Sequence, residues 1–254
     1  LKKKIIAEGG DPQRETLTVI PTVSGDNYYR DNEGDCWRMY LFVENTETYQ
    51  TIRNAEDFYN CGVSFGNFQR MLGDYDTSGL IETIKDFHNT VKRFEALKQA
   101  IKKDKAGRAG KVRDEIKFAL DREKDVGALV ELLESGKMPY RVTHNDTKLN
   151  NILIDKKTKK GVCVIDLDTV MPGAACYDFG DSIRFGASTA AEDETDLSKV
   201  SMSIELFEVF TKGYMSVARE FLTPIEIDSL AIGAKIMTFE CGIRFLTDYL
   251  HGDV

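Results

Sequence analysis

The residues best suited to chemistry lie in two short stretches in the middle of the chain. Residues 142–155 pair His144-x-Asp146 with Asn151, and Asp166 follows fifteen residues after the asparagine, at the end of an apolar run. Phosphoryl transfer needs a carboxylate that orients the acceptor hydroxyl and takes its proton, and oxygen ligands that hold Mg²⁺ on the donor phosphates. An Asp and an Asn on one loop, with a second Asp after the next hairpin, can converge on one point and supply these groups.

Each aspartate also has a structural interpretation. His-x-Asp is common by chance, Asp146 could cap a helix, and Asp166 could end a strand in a turn. The joint spacing, His-x-Asp-x₄-Asn followed by an apolar hairpin that ends in Ile-Asp, favours phosphoryl transfer.

The elements around these residues change character along the chain. Apolar runs and turn signals predict strands at 15–23, 37–44 and 140–143, a tight turn at 31–34, and a hairpin formed by 151–155 and 161–166. Helical periodicity predicts helices at 55–74, 80–97, 114–135 and 196–250, with a solvated loop or a frayed helix end at 98–114. The last helical region breaks at Leu222-Thr223-Pro224, where Thr223 is a candidate N-cap and Glu226 follows. This order predicts an α+β arrangement, a small sheet lobe followed by a larger helical lobe, with a ligand cleft between them.

Composition narrows the class of protein. The 254 residues include 34 Lys and Arg against 42 Asp and Glu, a net charge of −8. Such a chain is a poor candidate for non-specific nucleic-acid binding. Its apolar runs fall far short of the roughly 20 residues that span a membrane, so we expect neither nucleic-acid nor membrane partners.

The cysteines predict buried free thiols in a reducing compartment. The five are Cys36, Cys61, Cys163, Cys176 and Cys241, an odd number without a C-x-x-C pair. A cytoplasmic location is therefore expected. Zinc is not, because the three histidines do not pair with cysteine at ligand spacing.

The motifs resemble one family. His144-Asn145-Asp146-Thr147-Lys148-Leu149-Asn150-Asn151-Ile152-Leu153 is similar to the catalytic loop of the aminoglycoside phosphotransferase and choline kinase superfamily, Val164-Ile165-Asp166 to its metal segment, and Tyr177-Asp178-Phe179-Gly180-Asp181 to its Asp-rich turn. The form of the loop most resembles the N-acetylhexosamine 1-kinases, as do three further segments: Phe65-Gly66-x-Phe68-Gln69, Phe87-His88-Asn89-Thr90 and 243–250.

Related sequences sometimes carry the label mucin desulfatase. No cysteine here has the C/S-x-P-x-R context of a sulfatase, which excludes that chemistry.

The resemblance implies a protein-kinase-like bilobal fold and an ATP- and Mg²⁺-dependent enzyme that phosphorylates the anomeric hydroxyl of an N-acetylhexosamine. Asp146 would be the base, and Asn151 and Asp166 would bind Mg²⁺. The hinge, near 41–46, would pair with adenine through Phe42, Val43 and Glu44. The partners would be ATP and a small sugar; the sequence leaves the oligomeric state open.

Several residues are candidates for the acceptor pocket, each with a structural alternative. Arg244 would reach the sugar or its phosphate, but could form an ion pair with Asp248 or Glu240. Arg184 and Phe185 could line the pocket, or Phe185 could pack in the core. Asp168 could contact metal or sugar, or cap a turn, and Lys148 could contact phosphate or be a surface lysine. Three others are expected to be mainly structural: Asp178 and Asp181, which would hold the loop, and His88, which would pack or cap.

The family pattern also predicts the domain organisation. Residues 1–48 would be a partial N-terminal lobe and 49–254 a helical C-terminal lobe, with the catalytic loop at 142–155 and the metal segment at 162–169. A Gly-rich phosphate loop and a strand Lys would precede Leu1, and further chain would follow Val254, so we expect a fragment. Two other functions stay open: a kinase of the same superfamily for an aminoglycoside, choline, homoserine or methylthioribose, and a non-catalytic pseudokinase.

Overall fold

Helices dominate the computed structural model, which describes residues 1–191 and 194–253. The helices are α1 (Lys2–Ala7), α2 (Ala55–Met71), α3 (Thr90–Lys103), α4 (Arg113–Leu120), α5 (Val130–Glu134), α6 (Ala175–Gly186), α7 (Ile204–Ala218) and α8 (Pro224–His251). The strands are β1 (Val19–Ile20), β2 (Tyr29–Arg30), β3 (Cys36–Trp37), β4 (Met39–Tyr40), β5 (Thr46–Glu47), β6 (Arg141–Thr143), β7 (Ile152–Asp155), β8 (Gly161–Val164) and β9 (Met171–Gly173). Residues 192, 193 and 254 of the predicted C-terminal lobe lie outside the described residues. The arrangement confirms the predicted α+β kinase-like fold.

Small antiparallel sheets carry the segments that the sequence predicts to be catalytic. The pairs are β1–β4, β2–β3 and β6–β9, and β5, β7 and β8 form a three-stranded sheet in the order β5-β7-β8. The predicted hairpin is confirmed as β7–β8, in which Ile152 lies opposite Val164. Asn151 therefore precedes one strand and Asp166 follows the other, at the same end of the hairpin.

The far end of this hairpin is closed by Asp155. Its carboxylate accepts hydrogen bonds from the N–H groups of Lys157 (2.9 Å) and Thr158 (2.8 Å) and from Arg14 (3.0 Å). These donors, the Thr158 N–H above all, lower the pKa of Asp155 to about 2. The turn fixes the Ile154–Gly161 end of the hairpin, and a register shift between Leu153 and Ile154 separates it from the Ile152–Val164 pair near Asn151.

The N-terminal strands differ in part from the prediction. The turn at 31–34 is confirmed: β2 pairs with β3, and the Asp31 carboxylate accepts from the N–H groups of Glu33 (3.0 Å) and Asp35 (2.9 Å). The predicted continuous strand 37–44 is wrong. After the Leu41 N–H bonds to Thr18 O (2.8 Å), the chain leaves the ladder, since no neighbouring strand continues beside it.

The helix boundaries correct two expectations. The predicted helix at 80–97 begins only at Thr90, where the Asn89 side chain accepts from the Lys92 N–H, and the predicted helix 114–135 divides into α4 and α5. At 98–114 the structure agrees with a helix end, because α3 continues to Lys103. The break before α8 is confirmed: Pro224 occupies the first turn, and Glu226 accepts from the Thr223 N–H at 2.8 Å.

The main core lies between α2, α6, α7 and the catalytic hairpin. Its largest buried side chains include an aromatic cluster of Phe58, Phe179, Phe210 and Tyr214. Burial of each contributes about 1.5–3 kcal/mol. Helices α6 and α8 cross closely at Gly180, where a Cβ would lie 2.5 Å from the carbonyl oxygen of Gly233. Only a residue without a side chain fits there. Helix α6 is thus fixed behind the catalytic loop.

The cysteines are free thiols, as predicted, but not all are buried. Burial raises the pKa of Cys163 and of Cys176 to about 12 and raises that of Cys61 further. Cys36, on the short β3, is exposed. Among the described helices, none combines the length and apolarity needed to cross a membrane.

Candidate active site

The first part of the predicted catalytic loop, residues 144–147, is held through its backbone by two buried carboxylates. Asp178, on α6, accepts hydrogen bonds from the N–H groups of His144 (2.9 Å) and Asn145 (2.8 Å). Asp181, one helical turn later, accepts from the N–H of Thr147 at 2.9 Å. The two aspartates therefore have the structural role that the sequence predicted. They fix the backbone on both sides of Asp146.

The imidazole of His144 joins the loop to the metal segment. Its Nε2 lies 2.8 Å from the carbonyl oxygen of Ile165, which can only accept, so Nε2 carries the hydrogen. Its Nδ1 accepts from the N–H of Asp146 at 3.3 Å. A neutral His144 satisfies both contacts, and its position fixes the residue that precedes Asp166.

Asp146 projects from this loop between two donors. Its Oδ2 accepts from the Asn151 side-chain amide at 2.9 Å, and its Oδ1 lies 3.0 Å from the Nζ of Lys148. The Asp146 side chain is 27% exposed, so the carboxylate is anchored but open to a substrate. The structure brings Asp146, Asn151 and Lys148 together.

Asp166 lies beside Asn151 through the strand register. The N–H of Ile165 donates to the carbonyl oxygen of Asn151 at 2.9 Å. Asp166 has a left-handed backbone, with φ 60° and ψ 60°, and Asn145 has φ 66°. The Asp166 carboxylate makes no hydrogen bond or ion pair with the part of the chain that the structure describes.

The donor set fits Mg²⁺ better than a transition metal. Asp166 offers carboxylate oxygens, and Asn151 turns its amide nitrogen toward Asp146, which leaves its Oδ1 for a ligand. Within residues 1–191 and 194–253, no three His, Cys, Asp or Glu side chains cluster as a metal site. Mg²⁺ does not require such a cage, because it is usually bound by one or two carboxylates together with substrate phosphates and water.

The predicted hinge is an extended segment with free backbone donors. The N–H groups of Phe42, Val43 and Glu44 make no hydrogen bond to any described residue. Phe42 is 82% exposed, whereas Val43 is buried and anchors the segment. Such a segment can offer its peptide groups to a purine base.

Arg244 lies on α8, one helical turn from each of the predicted ion-pair partners, Glu240 and Asp248. Its guanidinium is 5.6 Å from the centre of the Phe245 ring, and it makes no ion pair with a described carboxylate. Glu240 is instead engaged by His88 Nδ1 (2.8 Å) and the Thr90 hydroxyl (2.6 Å). The alternative of a structural Arg244 ion pair is therefore wrong, and His88 packs and bonds within the fold.

Arg184 and Phe185 differ in their surroundings. Arg184 pairs with Asp181 at 2.9 Å and lines a groove of about 1370 Å³ between α4, α6 and α8, with Phe118 and Phe245 opposite. Phe185 is half-buried and does not line this groove. Of the two, only Arg184 lines this space.

Asp168 is engaged by residues that the sequence did not single out. Its carboxylate forms an ion pair with Arg38, and its carbonyl oxygen accepts from the Thr83 hydroxyl at 3.2 Å. The partners are 130 and 85 positions away, so no local pattern could have identified them.

A small acidic cavity of about 110 Å³ adjoins the loop at Asn145. Three carboxylates, Glu82, Asp86 and Glu134, line it, and so do the aromatic rings of Phe87, His88, Tyr140 and Tyr177. Lys and Arg are absent from its described lining. The buried atoms Asn145 Oδ1 and His88 Nε2 have no hydrogen-bond partner among described residues. The cavity thus offers acceptors rather than donors.

Comparison with known proteins identifies the fold family. The family model described as "Phosphotransferase enzyme family" matches residues 18–200. The AMP-bound complex of spectinomycin phosphotransferase APH(9)-Ia is similar over 97% of this chain and 71% of its own, with 15% identity and a TM-score of 0.55. An aminoglycoside phosphotransferase from Alicyclobacillus acidocaldarius is similar over 98% and 82%, with 14% identity and a TM-score of 0.50. Plasmodium vivax ethanolamine kinase is similar over 99% and 67%, with 16% identity and a TM-score of 0.50.

Proposed function

Because the chain belongs to the phosphotransferase enzyme family, we propose that it transfers the γ-phosphoryl group of ATP to a hydroxyl of a small molecule. The preferred acceptor in this proposal is the anomeric hydroxyl of an N-acetylhexosamine, which the form of the catalytic loop suggests. Residues 1–48 would form the N-terminal lobe of this kinase and residues 49–254 its C-terminal lobe, and use of ATP would place the reaction in the cytoplasm.

The observation that carries the proposal is the anchoring of Asp146 beside the metal segment. Asn151 and Lys148 hold its two oxygens, and the His144 imidazole links its backbone to that of Ile165, next to Asp166. In the proposed reaction Asp146 accepts a hydrogen bond from the acceptor hydroxyl, orients it for attack and takes its proton. An anomeric hydroxyl is more acidic than an ordinary alcohol, so a carboxylate suffices as the base.

Asn151 and Asp166 would hold Mg²⁺, which would neutralise charge on the donor phosphates when bound. Lys148, which lies between Asp146 and solvent at 32% side-chain exposure, would contact the transferred phosphoryl group. The free N–H groups of Phe42, Val43 and Glu44 would bind adenine.

The proposal for the acceptor site rests on Arg244. A half-buried guanidinium without a carboxylate partner is suited to a hydroxyl-rich or phosphorylated ligand. Arg184, Phe185 and Asp168 remain candidates for secondary contacts with the sugar.

A second candidate, phosphorylation of an amino alcohol, is favoured by the acidic cavity beside Asn145. Its carboxylates and aromatic rings would bind an ammonium group through charge and cation–π contacts. A neutral N-acetylated sugar would gain nothing from that charge.

An acceptor panel with ATP and Mg²⁺ tests the proposal. N-acetylglucosamine, N-acetylgalactosamine, choline, ethanolamine, homoserine and an aminoglycoside are each incubated with the protein, and ³¹P NMR locates the new phosphate. A doublet from an anomeric phosphate on an N-acetylhexosamine supports the sugar kinase, and a phosphate ester on an amino alcohol supports the second candidate. Absence of transfer to every acceptor, in the presence of measurable ATP binding, would favour a pseudokinase.

A further inference from the structure

Helix α2 carries a motif to which the proposed reaction assigns no role. Phe65 and Phe68 pack their rings edge-on against His144, with centroids 5.6 and 5.7 Å away. Gln69, the next residue, is only 1% exposed, although a glutamine side chain has four hydrogen-bonding positions to satisfy. This face of α2 therefore lies directly behind the catalytic loop.

The amide of Gln69 forms a buried chain of hydrogen bonds. Its Nε2 donates to Asp178 Oδ2 at 2.7 Å, and its Oε1 accepts from the Tyr214 hydroxyl on α7. A carboxylate only accepts, so the NH₂ end must face Asp178, and Tyr214 must then donate to the other end. Asp178 thus sets the orientation of the Gln69 amide, and Tyr214 stabilises that orientation by donating to Oε1.

We propose that Gln69 and Tyr214 are positioning residues for Asp146, because they hold the Asp178 carboxylate in the orientation that receives the N–H groups of His144 and Asn145. This inference rests on the proposed kinase function only for the role of Asp146. Both oxygens of the Asp178 carboxylate accept hydrogen bonds: Oδ2 accepts from the Gln69 side-chain amide and the His144 N–H, and Oδ1 accepts from the Asn145 N–H. Without the Gln69 donor, nothing on α2 restrains the Asp178 carboxylate.

The hydrogen bond from Gln69 helps to keep the buried Asp178 carboxylate ionised. Burial raises the pKa of Asp178, and the hydrogen bonds from Asn145, His144 and Gln69 oppose that rise. The titratable groups close to it are His144 on the loop and Tyr214 on α7, and Asp181 follows one helical turn later on the same helix. A protonated Asp178 would lose part of its acceptor capacity and could not hold both loop N–H groups equally well.

Three substitutions test the inference. Gln69→Leu and Tyr214→Phe should lower kcat by roughly 10- to 100-fold, with the KM for ATP changed by less than about 3-fold, because misplacing a reacting group affects the transition state most. Amide hydrogen exchange, followed by NMR, should be at least about 10-fold faster at His144 and Asn145, in line with loss of a hydrogen bond to a charged group.

Gln69→Glu gives a readout that a merely structural role would not produce. At low pH the new carboxyl can keep its proton and donate to Asp178, whereas at high pH two buried carboxylates would repel. We expect near-normal loop exchange at low pH and faster exchange as pH rises, with a parallel fall of kcat relative to the unsubstituted protein. A matched control is Leu97→Ala on α3, a fully buried residue of the core between α3, α4 and α8, which should lower Tm without moving the loop.

The outcomes separate the two proposals. Unchanged exchange at His144 and Asn145 in all three variants, or the same change in Leu97→Ala, overturns the positioning role. If the unsubstituted protein transfers no phosphate to any acceptor, the kinase proposal fails, while the exchange measurements still decide whether Gln69 holds the loop.

Discussion

Replacement of Asp146 by Asn is the most direct perturbation of the proposed site. The amide keeps the shape of the carboxylate but cannot take a proton. Its Oδ1 can face only one of the two donors that now contact the carboxylate, Asn151 Nδ2 at 2.9 Å or Lys148 Nζ at 3.0 Å. The other contact becomes donor against donor, whichever way the amide turns.

The expected magnitude follows from these contacts. A positioned general base contributes roughly 10²–10⁴-fold to rate, which corresponds to about 3–5 kcal/mol in the barrier. The lost contact at a partly exposed side chain should cost at most about 1–3 kcal/mol of stability. We therefore expect kcat to fall at least about 100-fold while the protein stays folded.

The assay couples ADP release to a spectroscopic readout and measures ATP affinity separately by calorimetry. The Kd for ATP should stay within about 3-fold, because the hinge and Asp166 are untouched. Asp121→Asn is the charge-matched control, since Asp121 is exposed and pairs with Lys117 on α4. Turnover by Asp146→Asn within about 3-fold of the unsubstituted enzyme would refute the role of Asp146 as base.

Three further predictions concern the acceptor, the helix crossing and the buried ion pair. Arg244→Leu should raise the KM for the acceptor by roughly 10- to 100-fold and leave the KM for ATP unchanged, as steady-state kinetics will check. Gly180→Ala should destabilise the fold by about 1–3 kcal/mol or more in urea unfolding, because its Cβ would meet Gly233 O at 2.5 Å, whereas Gly242→Ala, with no atom within 4 Å, should stabilise it by about 0.5–1 kcal/mol. Arg141→Leu should cost about 3–5 kcal/mol, because it leaves the buried Glu226 carboxylate without its guanidinium partner at 2.8 Å. Burial acts to raise the pKa of Glu226, but the hydrogen bonds from Arg141 and Thr223 outweigh it, so the net pKa is lowered. The stability that the ionised Glu226 contributes is therefore present above the ordinary pKa of a glutamate and is lost as pH falls through the lowered pKa. The Tm of the Arg141→Leu variant, measured across an acid titration, should depend less on pH than that of the unsubstituted protein.

The catalytic hairpin could be predicted because its signals are local. Residues 151–166 contain two apolar β runs and a polar turn, and Asp155 closes that turn with contacts only two and three residues away. The capping box at Thr223 and Glu226 is local in the same sense. Each of these patterns specifies its structure through residues that are close in sequence.

The remaining errors arise where distant partners decide the structure. The run 37–44 is apolar enough for a strand, but only Met39 and Tyr40 find a partner in β1. The ion pair of Asp168 with Arg38 joins residues 130 positions apart, so no local pattern could predict it. The segment before Thr90 has helical periodicity, yet the Asn89 cap sets the start of α3.

The left-handed backbone at Asn145 and Asp166 limits how this site can change during evolution. Side chains other than glycine, asparagine and aspartate tolerate that conformation poorly, at a cost of about 1–2 kcal/mol. Asn145 precedes the proposed base and Asp166 is itself a proposed metal ligand, so the backbone restricts both positions to a few residue types independently of their chemistry. Neighbouring positions on β8, which have ordinary extended backbones, are free of this restriction and can vary with the packing around them.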